Sequence, residues 1–143
     1  MSEIFLKKMV TAEIWAQYSA RLQNEETAQV LHELFDLIVD TLGNRIDKIQ
    51  LFEDKALMFF SAGREILRIN IGRRNMRIYV HPPAGALFET KSRFEVEKIS
   101  LWGSSFRKTS GKYCGISFWV SEMKHLIGAK EILNSIPSKR SGN

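Results

Sequence analysis

Two hydrophobic periods run through this chain, and they predict its elements. From Arg64 to His81 apolar and polar residues alternate, the period of a pleated strand whose successive side chains face opposite ways. Leu67, Ile69 and Ile71 fall on one face, and Arg68 and Asn70 on the other. Gly72-Arg73-Arg74-Asn75 supplies turn residues. Alternation then resumes, with Met76, Ile78 and Val80 against Arg77, Tyr79 and His81. Pro82-Pro83 ends the second strand, because proline has no N–H to give a ladder. The stretch reads as a β-hairpin with one apolar face and one basic, aromatic face.

Ahead of the hairpin the period is helical. Thr11 is placed as an N-cap for a helix carrying Ile14, Tyr18 and Leu22, with Trp15 beside them. Asn24 is a second N-cap, and Glu25 and Glu26 follow it where the helix dipole favours negative charge. Val30, Leu31, Leu34, Phe35, Ile38 and Leu42 then form a broad apolar stripe, and Gly43 is placed to end that helix in a left-handed conformation. Ile4 to Val10 reads as a short strand or an ordered arm. Ile46 to Phe52 and Ala56 to Ser61 read as strands around the polar turn Glu53-Asp54-Lys55, with Ala62-Gly63 as the next break.

Beyond the hairpin, Pro82 to Phe94 is irregular and Lys98 to Trp102 alternates again. Gly103 to Gly111 reads as a polar, basic loop. Tyr113 to Val120 reads as a strand with Cys114, Ile116, Phe118 and Val120 on one face. Ser121 is placed to cap a last helix whose apolar positions are Met123, Leu126, Ile127, Ile132, Leu133 and Ile136, ending at Pro137. The expected fold is α+β: an antiparallel sheet of five or six strands with two N-terminal helices and a C-terminal helix. Residues 1–143 are expected to form one domain, with 137–143 a frayed tail.

Composition narrows the class. A hydrophobic content of 44% and a charged content of 26% are those of a soluble globular chain. The single cysteine excludes an internal disulfide framework and fits a reducing compartment. The longest apolar run, Ala56 to Phe60, is far shorter than the roughly 20 residues a membrane helix needs. The opening MSEIFLKKMV lacks a secretory pattern, so a cytoplasmic setting is expected. The net charge of +5 is unevenly spread. Residues 1–55 hold six Lys/Arg against ten Asp/Glu, a net −4, and residues 56–143 hold fifteen against six, a net +9. That asymmetry can steer an anionic partner to the basic half, or simply let the two halves attract each other.

The front helix with VLHELFDLI, the strand cluster LRINIGRRNMRIYVHPP and the ending ISFWVSEMKHLIGAKEIL together resemble a small α+β domain of uncharacterised bacterial and archaeal proteins, some labelled predicted transport proteins. The ending is also similar to the close of the YdhG-like proteins. The resemblance implies a sheet backed by helices and a cytoplasmic setting. It transfers no catalytic residue.

Candidate chemistry is sparse. His32, His81 and His125 are scattered, and no Cys or His pair has zinc-ligand spacing, so no metal and no cofactor are expected. Cys114 sits in the register of an apolar face, where a free thiol acts as a small hydrophobe. The loop around Arg107 and Lys108 lacks the spacing of a nucleotide-binding loop. There remains the second face of the sheet. Strands in register would bring together Arg68, Asn70, Arg77, Tyr79, Ser100, Trp102, Tyr113, Ser117 and Trp119, unless a further layer covers them.

Rings among basic groups can stack bases while the charges meet phosphates. The first functional expectation is a non-enzymatic binding domain for an anionic partner, with nucleic acid as a candidate. Its contacts would be Arg68, Arg77, Tyr79, Trp102 and Trp119 on the face, and the loop residues Arg73, Arg74, Arg107 and Lys108. The alternative is a protein-interaction or homo-oligomerisation module using Trp102, Tyr113 and Trp119. The third is a small-molecule binder or enzyme with a site near His81.

Overall fold

The computed structural model describes residues 3–81, 102–108 and 114–135. Three helices come first: α1 Glu3–Lys8, α2 Ala12–Arg21 and α3 Glu25–Leu42. Four strands follow, β1 Lys48–Phe52, β2 Ala56–Ser61, β3 Arg64–Ile71 and β4 Met76–Val80. Then come β5 Trp102–Lys108, β6 Cys114–Val120, a short 3-10 turn Met123–His125 and the last helix, α4 Leu126–Ser135. The six strands form one antiparallel sheet in the order β1-β2-β3-β4-β6-β5. The fold class is α+β, as the periodicity predicts.

The helices start where their caps are. Thr11 Oγ1 accepts from the backbone N–H of Ile14, and Asn24 Oδ1 accepts from that of Thr27. The four described helices cover one face of the sheet. Their apolar stripes meet Leu57 and Phe59 of β2, Leu67, Ile69 and Ile71 of β3, Met76, Ile78 and Val80 of β4, and Ile116, Phe118 and Val120 of β6. Val30, Leu34, Ile38 and Leu42 of α3 are fully buried against this layer, and Ala129, Ile132 and Leu133 of α4 extend it. Each buried Val, Leu, Ile, Met or Phe side chain contributes about 1.5–3 kcal/mol by leaving water, so truncating Phe59 or Phe118 to alanine costs roughly 3–5 kcal/mol.

Several expectations change. Residues expected as a strand or arm at the front form helix α1, whose Leu6 and the following Val10 reach the core. The N-terminal helices are therefore three, not two. Gly43 is right-handed (φ −56°, ψ −34°), because the chain continues turning the same way and the Ile46 N–H reaches back to the Leu42 and Gly43 carbonyls. Among the described residues, those with positive φ are instead Glu53, Ala62 and Gly63.

The expected loop from Gly103 is largely strand, since β5 runs to Lys108. An edge strand needs only backbone partners, which β6 supplies, so its polar side chains gave no alternation to read. Gly103 and Ser104 sit where the register slips by one residue, between the Trp102–Trp119 and Ser105–Ser117 pairs, the signature of a β-bulge.

Ser121 does not cap the last helix with its side chain. The 3-10 turn begins after Glu122, and His125 turns back so that its Nδ1 accepts from the N–H groups of Ser121 and Glu122, at 3.1 and 3.0 Å. Met123 and Ile127 are exposed rather than core, while Ala129 takes a core place. The expected irregular stretch from Pro82 to Phe94, the start of the strand at Lys98, and Ile136 with Pro137 lie outside the described residues.

Candidate anion-binding face

The side of the sheet away from the four described helices carries three rows of residues set by the pairing register. One row crosses all six strands as Phe52, Ala56, Asn70, Arg77, Trp119 and Trp102. The next runs Gln50, Met58, Arg68, Tyr79, Ser117 and Ser105. The third begins Lys48, Phe60 and Glu65 and meets β6 and β5 at Gly115 and Arg107. Directly opposed residues lie about 4.5–5.5 Å apart, so each row is a line of neighbours. The register therefore unites Arg68, Asn70, Arg77, Tyr79, Ser117 and Trp119 on one face, with Trp102 aligned at the edge. Ser100 and Tyr113 lie outside the described residues, as do the side chains of Trp102, Arg107, Lys108 and Cys114.

Arg77 is the centre of this face. Its guanidinium donates to Ser117 Oγ at 2.6 Å and lies over two rings, 4.8 Å from the centroid of Trp119 and 5.7 Å from that of Tyr79. Each contact of this kind is worth about 0.5–2 kcal/mol, and together they fix the plane of the cation. Among the described residues no carboxylate pairs with it. Arg77, Tyr79 and Trp119 are half-buried and Ser117 is buried, so the face is neither bare nor sealed.

Arg68 is different. Its Nη2 lies 2.8 Å from Glu65 Oε1, and the other oxygen of Glu65 meets His81 Nε2. Strict alternation would send Glu65 to the core side. A bulge intervenes: β2 and β3 slip register between Phe59 and Phe60, so Glu65 comes opposite Phe60 and onto the second face. Sequence reasoning misses Glu65 on this face, because a bulge leaves no mark on hydrophobic period. His81 extends the ladder through its N–H to the Ile66 carbonyl.

The hairpin tip is anchored while its charges stay in solvent. The Arg73 carbonyl accepts from the Gln23 N–H just beyond α2, and the Ile71 carbonyl accepts from Arg21 Nε at 2.8 Å. Gly72 closes the turn by donating to the Asn75 carbonyl. A Cβ at Gly72 would stand 3.0 Å from that oxygen, so glycine is favoured there by close approach rather than by a positive φ. The Arg73 and Arg74 side chains are exposed, and no carboxylate among the described residues pairs with either.

The structure separates the two basic loops. Arg73 and Arg74 lie at the end of the sheet marked by the Met76–Val120 pair. Arg107 and Lys108 lie opposite Gly115 and Cys114, at the other end of β6. Five residues of strand, about 17 Å, separate Val120 from Gly115. Arg73 and Arg74 group with Arg77 and Trp119; Arg107 and Lys108 do not.

Among the described residues no cluster of three His, Cys, Asp or Glu side chains could hold a metal ion, and no helix is long and apolar enough to cross a membrane. Comparison with protein-family models, with curated proteins and with solved structures finds no match.

Proposed function

We propose that this domain is a non-enzymatic binding module for an anionic partner, nucleic acid being the class its chemistry fits best. The observation that carries the reading is the corner formed by Arg73, Arg74 and Arg77. There a pinned hairpin tip and a ring-stacked strand present three guanidinium groups without acidic partners among the described residues. Guanidinium forks match phosphate oxygens, and a cation already held in place loses little entropy on binding. Because Arg77 lies on the Trp119 ring, the corner offers a fixed cation before it offers a bare ring for base stacking.

A labelled single-stranded oligonucleotide titrated at low salt tests this by fluorescence anisotropy. Three phosphate contacts give a slope of log affinity against log salt of roughly −2. The pair of changes Arg73→Glu and Arg74→Glu, both on exposed side chains, should weaken binding at least tenfold. Absence of binding at low salt, or binding indifferent to this double change, would refute the proposal.

A further inference from the structure

A second feature of the same face lies away from the arginine corner. Over β1, β2 and β3 the sheet is hollowed into an open pocket of about 550 Å³, within the range of small-molecule sites. Its apolar part is Ala56, Met58 and Phe52. Ala56 and Met58 are 5% and 8% exposed yet stand outside the core cluster beneath the helices, while Phe52 is 54% exposed. An exposed phenyl beside two sunken apolar side chains gains by covering itself with an apolar ligand.

The pocket's charged lining is of one sign. Arg21, Lys55 and Arg68 line it and no carboxylate among the described residues does, with Gln50 and Asn70 adding neutral polar groups. Two of the cations are set in position: Arg21 by its bond to the Ile71 carbonyl, Arg68 by Glu65. Each cation has a carboxylate neighbour that stands outside the pocket lining, and Glu65, 2.8 Å from Arg68, is the tightest of them. Asp54 stands 3.9 Å from Arg21, a loose contact, and Glu53 lies 3.4 Å from a Lys55 that is itself half in solvent. Guanidinium and ammonium groups above an apolar floor recognise one kind of molecule, an acid group on an apolar body.

We infer that this pocket binds a small organic anion, with its carboxylate or phosphate among Arg21, Lys55 and Arg68 and its apolar body against Phe52, Ala56 and Met58. The site is distinct from the polyanion corner and does not depend on it. Phe52 fills the role of a hydrophobic wall, and Lys55, on the turn between β1 and β2, acts as a flexible arm over the head group.

The intact chain tests this with 8-anilinonaphthalene-1-sulfonate, an apolar anion whose emission rises on leaving water. Saturable binding is expected, displaced by decanoate or decyl phosphate but not by decanol; which of the two acids displaces at lower concentration assigns the head group. Lys55→Glu and Phe52→Ala, both at exposed positions, should each weaken binding about tenfold, whereas the Arg73→Glu and Arg74→Glu pair should leave it unchanged. Unsaturable binding, equal displacement by decanol, or indifference to both pocket variants would overturn the inference without bearing on the oligonucleotide result.

Discussion

The guanidinium of Arg77 rests on the indole of Trp119, 4.8 Å from the ring centroid, across a directly opposed pair of β4 and β6. The pair joins the hairpin to the strand that arrives last, so its loss is felt by the sheet as well as by the face. Arg77→Ala should destabilise the fold by about 1–3 kcal/mol, through the lost ring contacts and the lost bond to Ser117. Arg77→Lys keeps the charge but not the planar fork, and should recover less than half of that. Urea denaturation measures both, and an unchanged midpoint in Arg77→Ala would show the stack to be without energetic weight.

The turn joining β2 to β3 carries a correctable strain. Ser61 pairs with Arg64, leaving Ala62 and Gly63 as a two-residue loop with φ of 51° and 78°. Such hairpin turns favour Asn followed by Gly, because asparagine tolerates the left-handed region and alanine does not. Ala62→Asn should therefore stabilise the protein by roughly 1 kcal/mol. The Ala62 N–H already bonds Asp47 Oδ2 at 2.7 Å, and that bond survives the change. A raised thermal midpoint is the expected result.

Two histidines make stability depend on pH in one direction. His125 is shifted down from the ordinary imidazole range, by burial first, against an opposing pull from Glu122. Its Nδ1 accepts two backbone N–H bonds and so must be unprotonated. His32, stacked on Trp15 at 3.8 Å, is also shifted down by burial, with Asp36 opposing. A group with a depressed folded value favours folding above its unfolded value, near 6.5, and loses that contribution as pH falls through the folded value. Denaturation midpoints should fall from pH 7 towards pH 5. His32→Phe, which keeps a ring against Trp15, should flatten part of that slope, and a slope unchanged in this variant would exclude His32 as a source.

Tyr18 is fully buried, and among the described residues its hydroxyl has no hydrogen-bond partner. Burial, then the charge of Asp54, push its ionisation up to about 12. One of the three tyrosines should thus titrate late in an ultraviolet absorbance titration. Because the folded value is raised, stability holds below the unfolded value near 10 and declines as pH climbs towards 12. Tyr18→Phe removes an unsatisfied group while keeping the ring, so it should be neutral or stabilising by about 1 kcal/mol. A large loss of stability would mean the hydroxyl has a partner.

What could be read from sequence was whatever burial writes into period. Leu67, Ile69 and Ile71 alternate because one face of β3 meets the helices, and α3 shows its stripe for the same reason. Features set by backbone pairing left no such trace. β5 is polar because an edge strand needs only the ladder, so Ser104 to Lys108 resembled a loop. α1 is six residues long, too short for its stripe to separate from alternation. On the second face, Arg77 and Trp119 were legible because they alternate. The pocket was not: Arg21 comes from a helix and Lys55 from a turn, and only the tertiary fold brings them beside Met58.

The position of β6 between β4 and β5 has a consequence for the chain during its synthesis. Strands β1 to β4 can pair as soon as they emerge, each with its predecessor. At that stage β4 presents a full row of unsatisfied N–H and C=O groups along one side, and β5 emerges with its partner in the sheet still to come. Only when residues 114–120 arrive is the gap filled, by a strand that satisfies both neighbours at once. A nascent or truncated chain ending before Cys114 is thus open to joining another molecule edge to edge, and the strand from Cys114 to Val120 acts as the protein's own guard against aggregation.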